Sequence, residues 1–299
     1  MTSSLPPRIG IVVTDLYAGD DPDRDTPLLL PALAERGVDA RAVVWHADND
    51  LGELDLLVIR SPWDYPERFA EFAAWLDRAE RATRVVNSPA LMRWNLDKRY
   101  LAQLEADGVP VVPTVFCETP DAAARAIAAH EPGRVVVKPT VSAGARDTGL
   151  FDATDPAARQ LADRILARGG VVMVQPEIEE LSRGAEKALY AIDGVLTHAI
   201  EKGALLDVGG GLLGGTYVEN PVAVAMSAEE QAFAHRALTA VARAGHERPL
   251  YARIDIVDSA AFGIVLLEIE LVEPALNLHV APHALAPVVD AILAATAPR

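Results

Sequence analysis

The sequence predicts an α/β protein that becomes α+β toward its C-terminus. Two observations carry this expectation. Short apolar runs alternate with helical segments through roughly the first 90 residues, whereas the last third sets apolar strands one after another across short turns. Strand–helix alternation implies a parallel sheet with helices on its faces, and strands in succession imply an antiparallel one. With 299 residues, 51% of them hydrophobic and 23% charged, the chain can build two or three packed units.

In chain order, residues 8–14 (RIGIVVT) read as a buried strand and 25–36 as a helix closed by Gly37. Residues 40–45 and 55–59 read as two more strands, 66–79 as a helix and 84–86 as a short strand. Ligands gather at the carboxyl ends of strands in such sheets. The loop 60–65 (RSPWDY) is therefore a candidate substrate loop; a rigid proline turn with a packed Trp63 is the plainer reading. A turn at 87–89 marks a boundary. Beyond it come a helix at 97–106 ending at Gly108, a strand at 111–116, a helix at 120–130 and a strand at 134–138. A flexible small-residue stretch at 141–149 precedes a helix at 156–168, closed by Gly169 and Gly170, and a strand at 171–175. The remainder reads as strands 187–192, 195–201, 250–257 and 262–271, with helices near 227–244 and 284–296. Asp193-Gly194 supplies a hairpin turn.

Composition excludes several functions. A formal net charge of -16 argues against nucleic acid and against anionic membranes, both of which call for clustered Lys and Arg. The single cysteine, Cys117, rules out an intrachain disulfide and a cysteine metal cage, and reads as a strand-end residue. No apolar run is long enough to span a bilayer, and the N-terminal run 9–13 stops at Asp15, so the expected location is cytoplasmic. There is no G-x-x-x-x-G-K-[ST] P-loop. Residues 209–214 match G-x-G-x-x-G, but no helix follows before Pro221, so they read as a mobile loop. His279 and His283 have zinc-like spacing, which Pro282 interrupts.

Four features could carry chemistry. Lys98 and Lys138 form the first. Lys138 closes the apolar strand Val135-Val136-Val137 and adjoins the small residues Val141 to Ala145, whose backbone can approach an anion. Solvated lysines are the alternative. The second is Gln175-Pro176-Glu177-Ile178, where a strand running into proline leaves backbone groups unpaired that a purine edge could use. In the third, Arg253 and Asp255 alternate on an otherwise apolar strand and share a face, as a functional or structural pair. The fourth is Glu268 and Glu270, which share a face of the next strand. A hairpin between these strands would bring Asp255 beside both glutamates. Three bare carboxylates on one face repel one another, and a hard divalent cation relieves that.

In this order the pieces resemble the ATP-grasp superfamily from about Asn87 to Pro274. The resemblance implies an ATP-grasp fold behind an N-terminal parallel-sheet substrate domain. It divides the chain into a substrate domain (1–90), a central lid subdomain (91–175) and a C-terminal subdomain with the antiparallel sheet and metal site (176–299). Lys98 of NLDKRYL and Lys138 of VVVKPTVSAGA match the phosphate-binding lysines, and Gln175, Glu177 and Ile178 match the adenine hinge. Glu186 matches the ribose-binding acid, with Glu179 or Glu180 as alternatives, and Lys202 matches the lysine near the γ-phosphate. Arg253 and Asp255 match the R-x-D pair. Glu268 and Glu270 match E-x-N, with Glu270 replacing the usual Asn. The implied cofactors are ATP and magnesium, or manganese, held by Asp255, Glu268 and Glu270, with Arg253 catalytic.

More narrowly, RSPWDY, NSPALMRWNLDKRYL and LLEIELVEPALNLHV resemble the cyclo-ligases of D-cycloserine biosynthesis. This implies cyclisation of O-ureido-D-serine to D-cycloserine with loss of carbon dioxide and ammonia. An intermolecular ligase joining an amino acid or peptide to an amine, and an inactive nucleotide-binding regulator, are the other readings. The expected partner is a small amino-acid-like molecule, and assembly into a homo-oligomer is left open. Strand-end position makes Asp15, Tyr17, Arg60 and Tyr65 substrate candidates, with Arg146 and Asn277 beside them.

Overall fold

The computed structural model describes residues 6–16, 22–213 and 219–297. The N-terminal unit runs β1 (Arg8–Val13), α1 (Thr26–Glu35), β2 (Asp39–Val44), β3 (Leu56–Ser61), α2 (Phe69–Ala82) and β4 (Val85–Val86). Its four strands pair in parallel in the order β2-β1-β3-β4. Every residue of β3 is buried, as a strand covered on both faces requires. Helix α2 buries Phe72, Trp75, Leu76 and Ala79, the i, i+3, i+4, i+7 stripe of an amphipathic helix. Phe72 stacks on Trp75 and meets Trp45 edge-on.

Two short helices follow, α3 (Pro89–Asn95) and α4 (Tyr100–Ala106), where the sequence predicts one from 97 to 106. Then come β5 (Val115–Cys117), α5 (Pro120–Ala128), β6 (Arg134–Pro139), β7 (Gly149–Asp152), α6 (Pro156–Ala167) and β8 (Val172–Pro176). These strands form an antiparallel sheet, β5-β8-β6-β7, with α5 and α6 packed against it. The expected strand at 111–116 is not formed. Val111 makes only an isolated bridge to Leu266, because Pro110 and Pro113 cannot donate to a ladder, and β5 starts at Val115. The stretch 141–149 also ends earlier than expected, since Gly149 already belongs to β7.

The last unit contains α7 (Glu179–Ser182), β9 (Glu186–Ile192), β10 (Val195–Lys202), β11 (Val222–Val224), α8 (Ala228–Arg243), β12 (Tyr251–Ser259), β13 (Gly263–Glu270) and α9 (Leu285–Thr296). Its sheet is antiparallel throughout, in the order β11-β10-β9-β12-β13, as the succession of strands predicts. Strand alternation sends Leu189 and Ala191 to one face, under α4 and α8, and Ala188, Tyr190 and Ile192 to the other, against α9 and the N-terminal unit. Asn87 fastens the N-terminal unit to this sheet: its side-chain amide donates to the Tyr251 and Leu271 carbonyls at 3.0 and 2.7 Å, and its oxygen accepts from the Leu250 N–H at 2.6 Å. No described helix is long and apolar enough to cross a membrane.

Candidate active site

The site grows from the β12–β13 hairpin. Its register sets Asp255 opposite Glu268 and Arg253 opposite Glu270, and the two-residue period turns all four to one face. One oxygen from each of Asp255, Glu268 and Glu270 lies within 4.8 Å of the others. Asp255 is fully buried. Its Oδ1 accepts from Arg253 Nε at 3.0 Å, and its Oδ2 accepts from Arg253 Nη2 at 2.9 Å and Lys202 Nζ at 2.7 Å. Arg253 also donates to Glu270 and, at 3.4 Å, to Glu219. Lys202 reaches Glu186 at 2.8 Å and lies 3.6 Å from Glu219.

Two more lysines face this hairpin. Lys98 lies 3.2 Å from Glu268 and donates to the Ser142 carbonyl at 2.9 Å. The Lys138 ammonium, on β6, makes no hydrogen bond or ion pair with another described residue. Burial lowers its pKa below the ordinary lysine value. At Lys98 burial acts the same way, but the carboxylates of Glu268, Glu270 and Glu273 together outweigh it and the net shift is upward. Burial favours the neutral form of Glu268, yet Lys98, Lys138, Lys202 and Arg253 together hold it at about 2. Glu270 goes the other way: burial, joined by repulsion from Glu268 and Asp255, outweighs Arg253 and pushes it well above the carboxylate range. Three hard oxygen donors, one destabilised by its neighbours' charge, suit a magnesium or manganese ion.

The hairpin forms one wall of a cavity of about 340 Å³, within the range of small-molecule sites. Gln175, Glu177 and Ile178 line one end. Gln175 donates to Thr114 Oγ1 at 2.8 Å, and Glu177 pairs with Arg134 at 3.2 Å. The Glu177 carbonyl and Ile178 N–H make no backbone hydrogen bond with described residues, so both are free for a heterocycle edge. Glu186 lines the cavity beside Lys202, whereas Glu179 and Glu180 do not line it: Glu179 pairs with Arg183, and Glu180 accepts from the Ala260 N–H.

The loop after Lys138 is shaped by backbone at positive φ, at Gly144 (61°), Ala145 (51°) and Asp147 (50°). For the two non-glycines this conformation costs roughly 1–2 kcal/mol each, a strain characteristic of ligand loops. The glycine loop at 209–215 is described as far as Leu213. Gly209 donates to the Leu150 carbonyl at 2.9 Å, and Gly210 (φ 104°) packs so tightly on Phe151 that a Cβ there would meet its ring at 2.5 Å. Gly214 and Gly215 lie outside the described residues.

Of the substrate candidates, Tyr65 and Arg146 line the cavity, Arg146 paired with Glu67 at 2.7 Å. Arg60 does not. It is 1% exposed, donates to the Pro274 carbonyl and lies over the Tyr251 ring, so it supports the 274–278 segment from behind. Asp15 points outward and pairs with His46 at 3.0 Å, also away from the cavity. Asn277 is buried behind the wall, donating to the Tyr190 hydroxyl at 3.1 Å and to Glu219 at 3.4 Å. Tyr17 lies outside the described residues. Two cavity acids escaped the sequence reading. Glu219 sits in a loop with no periodicity to mark it, and Glu273 stands just beyond the E-x-E strand. Burial pushes Glu273 up to about 6, although Tyr65, Lys98 and Arg253 all act to lower it.

Comparison with known proteins places the chain among its relatives. A family profile for the N-terminal domain of D-cycloserine synthetase DcsG matches residues 9–87. The cycloserine biosynthesis protein DcsG of Streptomyces lavendulae is 39% identical over 266 residues, covering 86% of this chain and 88% of the relative. The crystal structure of D-cycloserine synthetase DcsG superposes with a TM-score of 0.89 at 33% identity, over 97% of this chain and 100% of that one. A RimK-domain ATP-grasp protein from Sphaerobacter thermophilus (TM-score 0.66, 22% identity, 96% and 99% coverage) shares the fold. So does D-alanine–D-alanine ligase from Bacillus anthracis (TM-score 0.66, 13% identity, 97% and 98% coverage).

Proposed function

The chain belongs to the ATP-grasp ligases, beside the D-cycloserine synthetases, and is an ATP-dependent carbon–nitrogen ligase; from that premise we propose that it cyclises O-ureido-D-serine to D-cycloserine through an acyl phosphate. The observation that carries this reading is the convergence of Lys98, Lys138, Lys202, Arg253 and three carboxylates on one cavity. Lys98, Lys138 and Lys202 grip the phosphates. Gln175, Glu177 and Ile178 hold adenine, and Glu186 holds ribose. Asp255, Glu268 and Glu270 would hold a divalent ion, magnesium with manganese as the alternative, which would supply charge neutralisation for phosphoryl transfer.

A substrate carboxylate oxygen attacks the γ-phosphorus and ADP leaves. The ureido nitrogen then attacks the acyl carbon, phosphate leaves, and water releases the carbamoyl group as carbon dioxide and ammonia. Arg253 steadies the transferring phosphoryl and the oxyanion, and its loss removes about 10²–10³ in rate. Because the nucleophile is in the same molecule, ring closure gains from intramolecularity. The loop 141–149 keeps water from the acyl phosphate. In this scheme residues 1–90 carry the substrate loop, 91–175 form the lid and 176–299 hold the metal.

The test is mass spectrometry of the products from O-ureido-D-serine, ATP and magnesium. D-Cycloserine appearing one-for-one with ADP is expected. ADP release with no cyclic product contradicts cyclisation.

A further inference from the structure

We propose that Glu273, with Trp63 and Tyr65, forms a subsite for the α-ammonium group of an amino-acid substrate. The inference rests on the ligase reading of the cavity and names the class of substrate it admits.

Six glutamates line the cavity, and five of them face a cation: Glu177 pairs with Arg134, Glu186 with Lys202, Glu219 with Lys202 and Arg253, Glu268 with Lys98, and Glu270 with Arg253. Glu273 is the exception, with no Lys, Arg or His within ion-pair distance among the described residues. Lys98 and Arg253 act on this half-buried, cavity-facing carboxylate only from beyond ion-pair distance, so its charged form has room for a closer cation, which a ligand can bring.

Its position indicates which ligand. Strand β13 gives the cavity an axis. At its Val265–Leu267 end it packs on Ile178 and Leu181, beside the hinge; past Glu270, Val272 packs with Tyr65 and Ala143. Glu273 therefore lies beyond the metal carboxylates on the side away from the hinge, where the molecule receiving the phosphoryl group must sit. In an α-amino acid the ammonium is one carbon from the carboxylate, so activating one places the other nearby. The surroundings fit a primary ammonium. The Trp63 indole donates to the Glu273 carbonyl at 3.0 Å, fixing the backbone, and the buried Tyr65 lines the same part of the cavity. Both aromatic side chains line the cavity, and aromatic faces attract an ammonium ion.

The test compares calorimetric binding of O-ureido-D-serine with its des-amino analogue 3-(ureidooxy)propanoate, and of D-serine with 3-hydroxypropanoate. All are measured with AMPPNP and magnesium present. Wild type is expected to prefer an amino ligand at least about tenfold, as an added charge-assisted contact requires. Glu273→Gln is expected to abolish the preference and raise the amino-substrate KM with the ATP KM unchanged; Glu273→Asp, which keeps the charge, retains part of the preference. Thermal melts establish that both variants fold. No preference in wild type for either pair overturns the inference, as does a Glu273→Gln that keeps it, or one that loses kcat with KM unchanged, the mark of a general base. Because binding is read without turnover, a failure to form cyclic product would sink the cyclisation reading and leave this result standing.

Discussion

Asp255 has no exposed surface and accepts hydrogen bonds from Arg253 and Lys202, two cations that are themselves buried. Removing one charge from such a group strands its partners, at a cost of about 3–5 kcal/mol. Asp255→Asn keeps the volume, so denaturant unfolding should show a loss of that size, and an unchanged midpoint would mean that the pairs are not coupled as described. Glu270 tests a different property. Asn is the usual residue of the superfamily pattern, and the glutamate adds a negative charge beside two others. Glu270→Asn is expected to raise the magnesium concentration needed for half-maximal activity about tenfold, the equivalent of about 1.4 kcal/mol, and to retain turnover at saturating metal. If neither metal requirement nor turnover moves, Glu270 is no special ligand. At this scale the sequence was readable where residues alternate on strands, because Arg253-x-Asp255 and Glu268-x-Glu270 place charge on otherwise apolar faces. It was silent for Glu219, whose proximity to Arg253, 34 positions further along the chain, arises only from folding. It misplaced Arg60: strand-end position suggested a ligand contact, but the segment through Pro274 covers it.

Among the elements, β10 carries a pH-dependent prediction. His198 Nε2 donates to the Leu276 carbonyl at 2.8 Å, its Nδ1 accepts from Thr197 Oγ1 at 2.9 Å, and its ring stacks on Tyr190. Burial disfavours the charged ring and lowers its pKa from 6.5 to about 4. The unfolded chain therefore takes up a proton at this histidine as pH falls through about 6.5, whereas the folded chain does not until about 4. Stability is lost across that window, by about 3 kcal/mol at its lower end, and is untouched above it. Urea unfolding from pH 7 to 4 should show the advantage of wild type over His198→Gln shrinking as pH falls; a constant difference would assign the role to packing alone. The elements themselves were legible where apolar period and helix stops agreed, as for α6 and the β9–β10 hairpin at Asp193-Gly194. The strand expected at 111–116 failed because two prolines outweighed an apolar run. The docking of the glycine loop was hidden because Phe151, which it covers, lies more than 50 positions earlier.

For the whole molecule, the cavity is built jointly. Trp63 and Tyr65 come from the N-terminal unit, Lys138 and Gln175 from the central sheet, and Arg253 and the three carboxylates from the last sheet. A nucleotide bound across all three units stabilises them together, by about 2.7 kcal/mol at a hundredfold excess over Kd. AMPPNP with magnesium should accordingly raise the melting temperature by about 5 °C, and EDTA should reverse most of that rise; a shift indifferent to EDTA would remove the ion from the clamp. The central claim is that this clamp activates a carboxylate as an acyl phosphate. O-Ureido-D-serine labelled with ¹⁸O in its carboxyl group tests it directly, since the oxygen that attacks phosphorus must leave with it when nitrogen closes the ring. The account predicts one ¹⁸O in each inorganic phosphate released, and unlabelled phosphate accompanying cyclic product would contradict it.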